Sequence, residues 1–343
     1  MKKPHLLLIR LSALGDVAMT VPVLRCLFKT YPHLSITLVS RPHVAPIFGE
    51  FENLHFFPVD LNGRHQGIKG IWILFQELKN LPITAVADLH SVLRTHLLTL
   101  LFNLSLFKVS QIDKGRSEKR ALTRAQNKRF IPLTHTVYRY SDVFRKLGFP
   151  IQMEHHEFPE KPHLPQGILS LFGDSQKKWI GIAPFAAHSG KRYPLDLMQK
   201  VIHFLQKDHQ IFLFGAGQKE QEQLQVWENA FTAVYNTVGK IDFSEQLNLM
   251  GSLDLMISMD SANGHLAANF GIPVLTLWGM THPFCGFSPF HQSKDHCLTL
   301  DRTKFPLIPT SVYGHKIPQG YEKAFRTLQP IKVIEKALEM LKQ

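Results

Sequence analysis

Two apolar runs flank one short polar turn, and that arrangement constrains this chain more than any other feature. Leu253–Met259 and Pro273–Trp278 read as buried strands. Between them lies Asp260-Ser-Ala-Asn-Gly-His265-Leu-Ala-Ala, the pattern of a short helix that Gly271 closes. Strand, helix and strand in so few residues make a βαβ unit, so its two strands run parallel. Asp260, Ser261 and Asn263 fall where the first strand gives way to the helix. At that edge of a parallel sheet, free N–H groups and the helix dipole favour an anion. The same residue types also cap helices, and this segment alone leaves both readings open.

The alternation extends over the chain. Strands are expected at His5–Leu11, Leu34–Ser40, His55–Val59, Ile83–Leu89 and Phe107–Ile112, with helices at Val17–Thr30, Ile68–Lys79, Val92–Leu104 and Thr136–Leu147. Phe158-Pro-Glu-Lys-Pro-His-Leu-Pro165 breaks the style and reads as a linker. Strands then follow at Trp179–Pro184, Gln210–Phe214 and Ala233–Val238, with helices at Leu195–Gln206, Lys219–Phe231 and, finally, Ile331–Leu341. The fold class is therefore α/β, with parallel sheets covered on both faces. The expected division is an N-terminal domain over 1–160, a C-terminal domain over 166–325 and a last helix over 326–343 that packs back toward the N-terminal domain. Two such domains leave a cleft between the carboxyl edges of their sheets as the default ligand site.

Composition narrows the function classes. At 343 residues, 44% of them hydrophobic, the chain exceeds what one core usually serves. Cys26, Cys285 and Cys297 are odd in number and lack CxxC spacing, so they form no disulfide framework and fit a reducing compartment. Leu6–Ile9 is too short for a signal peptide, and the longest apolar stretch, Leu97–Phe107, is interrupted by Thr99, Asn103 and Ser105. A cytoplasmic protein is expected. The formal charge of +12 calls for an acidic partner. Lys114, Arg116, Lys119, Arg120, Arg124, Lys128 and Arg129 gather in one segment with a single acid, Glu118. No interleaved aromatics or nucleic-acid motif accompany them, which points away from nucleic acid. The histidines form no HExxH pattern, and no metal or other cofactor is expected.

Near the N-terminus, the apolar strand runs into Ser12-Ala-Leu-Gly15-Asp16, a tight turn into a helix with Pro22 near its start. Asp16 serves there either as an N-terminal helix carboxylate or as a general base facing the cleft.

Ile9-Arg-Leu-Ser-Ala-Leu-Gly-Asp16-Val-Ala-Met-Thr-Val-Pro22 closely resembles the opening of the glycosyltransferase family 9 heptosyltransferases. Asp88-Leu-His-Ser-Val-Leu-Arg94 is similar to a second segment of that family. Asp260–Ala268, continuing to Pro273-Val-Leu-Thr-Leu-Trp-Gly279-Met-Thr-His-Pro283, resembles its Asp-Ser-Gly-x-x-His-Leu-Ala-Ala signature. The resemblance implies a GT-B fold, two Rossmann-like domains facing across a cleft. It implies transfer of heptose from a nucleotide diphosphate, ADP-heptose, to the inner core of lipopolysaccharide, inverting and metal-free, with Asp16 as the base. Ala183–Pro194 looks like the family's donor-phosphate loop and brings Ser189 and Lys191 to the leaving diphosphate, a task that needs protein charge in a metal-free enzyme. It is not a P-loop, since Phe185 and Arg192 stand at required positions. The Gly215-Ala-Gly217 turn lacks a third glycine for a dinucleotide site. By resemblance it seats the nucleoside, with Gln218, Glu220 and Glu222 all open as its contacts. Asp260, Ser261, Asn263 and His265 complete the donor set. Arg64, His65, Arg116, Lys119 and Arg120 are the expected contacts to an acidic, lipid-linked saccharide acceptor. That acceptor would bring a basic N-terminal face to the inner membrane surface. Ala262 and Tyr193 depart from the family's glycine and tryptophan.

Overall fold

The computed structural model describes residues 3–172 and 176–342. They form two compact units, Met1–Gly115 with Thr134–Glu157, and Arg116–Leu133 with Phe158–Gln343.

The sheet of the first unit contains β1 (His5–Ile9), β2 (Ser35–Ser40), β3 (Leu54–Pro58), β4 (Ala85–Asp88) and β5 (Lys108–Gln111), ordered β3-β2-β1-β4-β5 and parallel throughout. Leu6, Leu7, Leu8 and Ile9 are wholly buried, as a central strand with both faces covered requires. The helix expected over Val17–Thr30 is two, α1 (Leu14–Ala18) and α2 (Val21–Thr30). Pro22, which lacks an N–H, sits in the first turn of the second, where no intrahelical donor is needed. Gly15 lies inside α1, so Leu11, Ser12 and Ala13 make the turn that had been expected of it. Helices α3 (Gly67–Lys79) and α4 (Leu93–Leu104) pack on each other over one face of the sheet, sharing a core of Leu7, Ile9, Leu74, Phe75, Leu98 and Phe102.

The chain then contributes α5 (Arg116–Thr123) to the second unit and returns to the first for α6 (Thr136–Leu147). The N-terminal domain expected over 1–160 had included Arg116, Lys119 and Arg120, so the observed division differs there. The reason is specific contact. The Lys128 ammonium donates to the carbonyls of Leu307 (2.8 Å) and Pro309 (2.7 Å), and Arg302 lies 3.4 Å from the Phe130 ring centroid.

The second unit adds α7 (Gln166–Phe172), β6 (Trp179–Ala183), α8 (Leu195–Leu205), β7 (Gln210–Leu213), α9 (Gln218–Ala230), β8 (Val234–Asn236), α10 (Phe243–Gly251), β9 (Leu255–Met259), α11 (Ala262–Ala268), β10 (Val274–Trp278), β11 (Cys297–Thr299) and α12 (Pro330–Met340). Its sheet is parallel and ordered β11-β10-β9-β6-β7-β8. The last helix, α12, packs on α8 and β9 within this unit. Each unit is thus a Rossmann-like α/β sandwich, as the sequence pattern required.

Candidate functional site

Each sheet has one point where successive strands change direction across it. In the first unit this lies between β1 and β4, and in the second between β6 and β9. At such a point the loops leaving the carboxyl ends of the strands diverge and open a crevice. Each crevice holds an aspartate paired with a cation.

In the first unit, Arg10 follows the last residue of β1, and Asp16 sits in the first turn of α1. Arg10 Nη2 lies 2.7 Å from Asp16 Oδ2, and Arg10 Nη1 donates to the Leu89 carbonyl at 2.5 Å. The Tyr140 ring of α6 lies beneath the guanidinium, 5.7 Å from centroid to Cζ, and the Tyr140 hydroxyl donates to the Asp16 carbonyl at 3.2 Å. Burial pushes the Tyr140 pKa far up, so the phenol stays a donor. The arginine side chain is only 6% exposed whereas the aspartate is 31% exposed. The buried partner is therefore the cation, and the carboxylate is the member offered outward. Nearby, His90 Nε2 lies 3.4 Å from Ser12 Oγ. Burial first, then the charges of Arg10 and Lys114, lower the His90 pKa to about 3, so its imidazole is neutral beside the pair. Asp88 plays a different part. Wholly buried, it accepts from the His90 and Ser91 N–H groups (2.8 and 2.9 Å) and from Gln111 Nε2 (3.2 Å), which fixes the turn that presents His90.

In the second unit, Lys191 Nζ lies 2.7 Å from Asp260 Oδ2, and Thr281 Oγ1 donates to the same oxygen at 2.9 Å. Exposure is reversed here: the aspartate is 5% exposed and the lysine 15%. The loop carrying Lys191 is braced on several sides. Arg192 Nε donates to the Ala186 carbonyl (2.6 Å), and Met280 N–H donates to the Gly190 carbonyl (2.7 Å). A Cβ at Gly190 would collide with the Gly314 carbonyl, so glycine is required for that approach. Tyr193, at the position where the family resemblance places tryptophan, is buried and donates to the Leu328 carbonyl at 2.7 Å.

Ser189 is exposed at the start of the turn that ends at Lys191, and Asn263 is half-buried in the first turn of α11. Ser261 Oγ lies 3.1 Å from Ser258 Oγ, and His265 is buried along α11. At the Gly215 turn, Glu220 Oε2 accepts from the Ala216 N–H (2.8 Å) and so braces the turn itself, whereas Glu222 accepts from Gln218 Nε2 (2.9 Å) within the first turns of α9. Lys119 Nζ stands 4.5 Å from the Phe287 ring centroid, while Arg116 and Arg120 are exposed on α5.

His65 is a correction. It is buried, its Nδ1 accepts from the Asp60 N–H (3.1 Å), and its Nε2 lies 3.1 Å from Glu77 Oε2. Both ring nitrogens are thus engaged in holding the Asp60–His65 loop, and the ring has none left for an acceptor. Arg64 pairs with Glu77 from a largely exposed position. Sequence reasoning missed Arg10, Tyr140, His90 and Thr281 as members of the two crevices. For Arg10 a signal existed, since a charged residue directly after an apolar central strand emerges at the sheet's carboxyl edge. Among the described residues no group of three or more His, Cys, Asp or Glu side chains is placed to hold a metal ion.

Comparison with known proteins agrees with this architecture. The lipopolysaccharide core heptosyltransferase OpsX of Haemophilus influenzae is 22% identical over 293 residues, 81% of this chain and 80% of that protein. Lipopolysaccharide heptosyltransferase 3 of Escherichia coli is 26% identical over 282 residues, 78% of this chain and 80% of that one. Among solved structures, the glycosyl transferase family 9 protein of Veillonella parvula superposes with a TM-score of 0.74 at 22% identity, covering 99% of this chain and 98% of that one. E. coli heptosyltransferase WaaC with ADP gives a TM-score of 0.67 at 16% identity, covering 98% and 99%. These structural likenesses establish the fold, two Rossmann-like units of the GT-B class. The sequence model of glycosyltransferase family 9 (heptosyltransferase) matches residues 71–307, well over half of the chain. This chain is therefore a glycosyltransferase, a member of glycosyltransferase family 9, the heptosyltransferases.

Proposed function

We propose that this enzyme transfers heptose from ADP-heptose to the inner core of lipopolysaccharide, inverting the anomeric centre, with Asp16 as general base. The observation that carries the reading is the asymmetry of the Arg10–Asp16 pair. A buried arginine holds a partly exposed carboxylate in one orientation, which is what proton abstraction from an acceptor hydroxyl needs. The acceptor oxygen attacks C1 of the heptose from the face opposite the diphosphate, and its proton passes to Asp16. The new C1–O bond forms as the bond to the diphosphate breaks, and ADP leaves with the electron pair.

The leaving group gains negative charge, and Lys191 is the proposed cation that meets it, with Ser189 and the N–H groups of Ser261 and Asn263 as further proposed donors. Asp260 and Thr281 position Lys191. Because the protein supplies this charge, the reaction is proposed to need no metal. Gln218, Glu220 and His265 complete the proposed donor set. Glu220 acts through the turn it braces. Arg64, Arg116, Lys119 and Arg120 are the proposed contacts to carboxylates or phosphates of the acceptor. The names of the relatives, which include an enzyme solved with ADP and several acting on lipopolysaccharide or lipooligosaccharide, support the donor and acceptor. A lipid-linked acceptor places the working enzyme at the cytoplasmic surface of a membrane.

The test is ADP release from ADP-heptose in the presence of a deep-rough lipopolysaccharide acceptor and a chelator, beside the Asp16→Asn protein. Turnover that survives the chelator and vanishes with the substitution supports donor, base and metal independence together. Turnover retained by Asp16→Asn removes the base assignment. If only another sugar nucleotide supports release, the donor assignment fails and the fold-level family membership remains.

A further inference from the structure

Helix α4 is apolar on two opposite sides. Thr95, Leu98, Thr99 and Phe102 face inward and are buried. Leu93, Leu100 and Leu104 follow at spacings of seven and four residues, which on an α-helix sets them in one stripe directed away from that core, while Leu97 between them is partly buried and packs against it. The stripe meets solvent: Leu93 is 78% exposed, Leu104 73% and Leu100 52%, and Leu106 just beyond the helix is 95% exposed. Ile68 and Trp72 on α3 are exposed as well, and α3 packs beside α4 over the same sheet face. Single exposed apolar residues need no explanation, but a contiguous layer of them marks an interaction surface.

The charges around this layer indicate what it meets. Helices α3 and α4 carry Lys69, Lys79 and Arg94 and one acid, Glu77, whose carboxylate already pairs with Arg64 and His65. Among the described residues no helix is long and apolar enough to cross a membrane. Leucines and a tryptophan fringed by basic side chains suit the headgroup–acyl boundary of an anionic bilayer, where the apolar side chains insert and the cations meet phosphates. A second copy docking through the same face would oppose cation to cation with no free acid to answer them. We infer that the outward face of α3 and α4 is the surface by which this enzyme binds an anionic lipid bilayer. The inference deepens the proposed function, since a lipid-linked acceptor is presented there. Its own support is exposure and charge.

The experiment is co-sedimentation of the full chain with vesicles of phosphatidylglycerol and phosphatidylethanolamine, beside vesicles of phosphatidylcholine alone. Binding is expected to the first and not the second, and added salt should weaken it. The double substitution Leu100→Ser, Leu104→Ser should lower the partition coefficient at least about tenfold. Melting temperature and transfer to a delipidated acceptor oligosaccharide should stay as in the unaltered protein. Lys69→Gln with Lys79→Gln should lower partition and flatten its salt dependence. Partition unaffected by the leucine substitutions overturns the assignment. So does sedimentation velocity showing that the native chain dimerises and the leucine variant is monomeric, because the occupant is then a second copy. Vesicle binding that persists while no heptose is transferred would sink the proposed reaction and leave this surface standing.

Discussion

The two crevices are built on one plan with opposite polarity. Both use an aspartate and a cation in 2.7 Å contact at the point where the strand order reverses. In the first unit the arginine is sealed by the Leu89 carbonyl and the Tyr140 ring, so the carboxylate faces out. In the second the carboxylate is sealed, with Thr281 donating to it, so the ammonium is the more exposed member. On the proposed reading, the same pair serves as a base in one place and as an anion-binding cation in the other. Which partner is desolvated determines the chemistry, because the buried member is committed to holding its neighbour. The choice of cation fits this difference. Arginine has the fork of donors needed to grip both a carboxylate and a carbonyl, whereas lysine offers a point charge that can be shared with a phosphate.

Exchanging the two carboxylates for amides should break the symmetry most sharply. Asp16→Asn removes the proton acceptor while leaving the donor side intact, so kcat should fall roughly 10³-fold with the donor KM nearly unchanged. Asp260→Asn should do the reverse, raising the donor KM while kcat changes less, because Lys191 loses its positioning partner. Equal kcat losses from both substitutions would erase the distinction between base and positioning residue. Next in size is Lys191→Met, which strands a buried carboxylate and should destabilise the second unit by about 3 kcal/mol, as loss of one member of a buried pair does. Adding Asp260→Asn to it should restore the melting temperature but not donor binding, measured by ligand-induced thermal shift. A double variant that regained donor affinity would show that Lys191 serves only to neutralise Asp260.

What was legible in the sequence follows from the physics of each element. Leu6–Ile9 announced a central strand because a continuous apolar run has few other fates. The helix α6 was bounded correctly because Gly148, at a φ of 100°, closes it. The short edge strand β11 is only partly buried and gave no periodicity to read. Helix α10 carried a signal that went unread, a capping box between Asp242 and Glu245. The placement of Arg116–Leu133 was not legible at all. It depends on Lys128 finding carbonyls some 180 residues away, and no local pattern encodes that. For the two crevices, the motifs singled out Asp16, Lys191 and Asp260 as candidates, but the ion pairs they make with Arg10 and with each other were not legible. His65 shows the limit most plainly, because a histidine beside an arginine looks like part of a basic surface until its burial is known.

The smallest expected effect separates the two units by pH. His90 in the first and His282 in the second are both held neutral, with pKa values lowered to about 3 and about 4. Burial is the larger cause in each, followed by Arg10 and Lys114 for the former and Arg302 for the latter. In the unfolded chain both would protonate near an ordinary pKa of about 6.5. Between those values the unfolded state binds more protons than the folded one, so stability is full above about pH 6.5 and declines as the pH falls. From there to about pH 4 the two histidines withhold one proton each and should contribute equal slopes. Below that His282 protonates in place and only His90 continues. Melting temperature followed from pH 7 downward should therefore fall less steeply in His90→Gln and in His282→Gln, by similar amounts, and the two curves should part only at the acid end. Lowered pKa values at His5 and His296 would leave a residual slope in each variant. A slope untouched by either substitution would place the acid sensitivity outside both histidines.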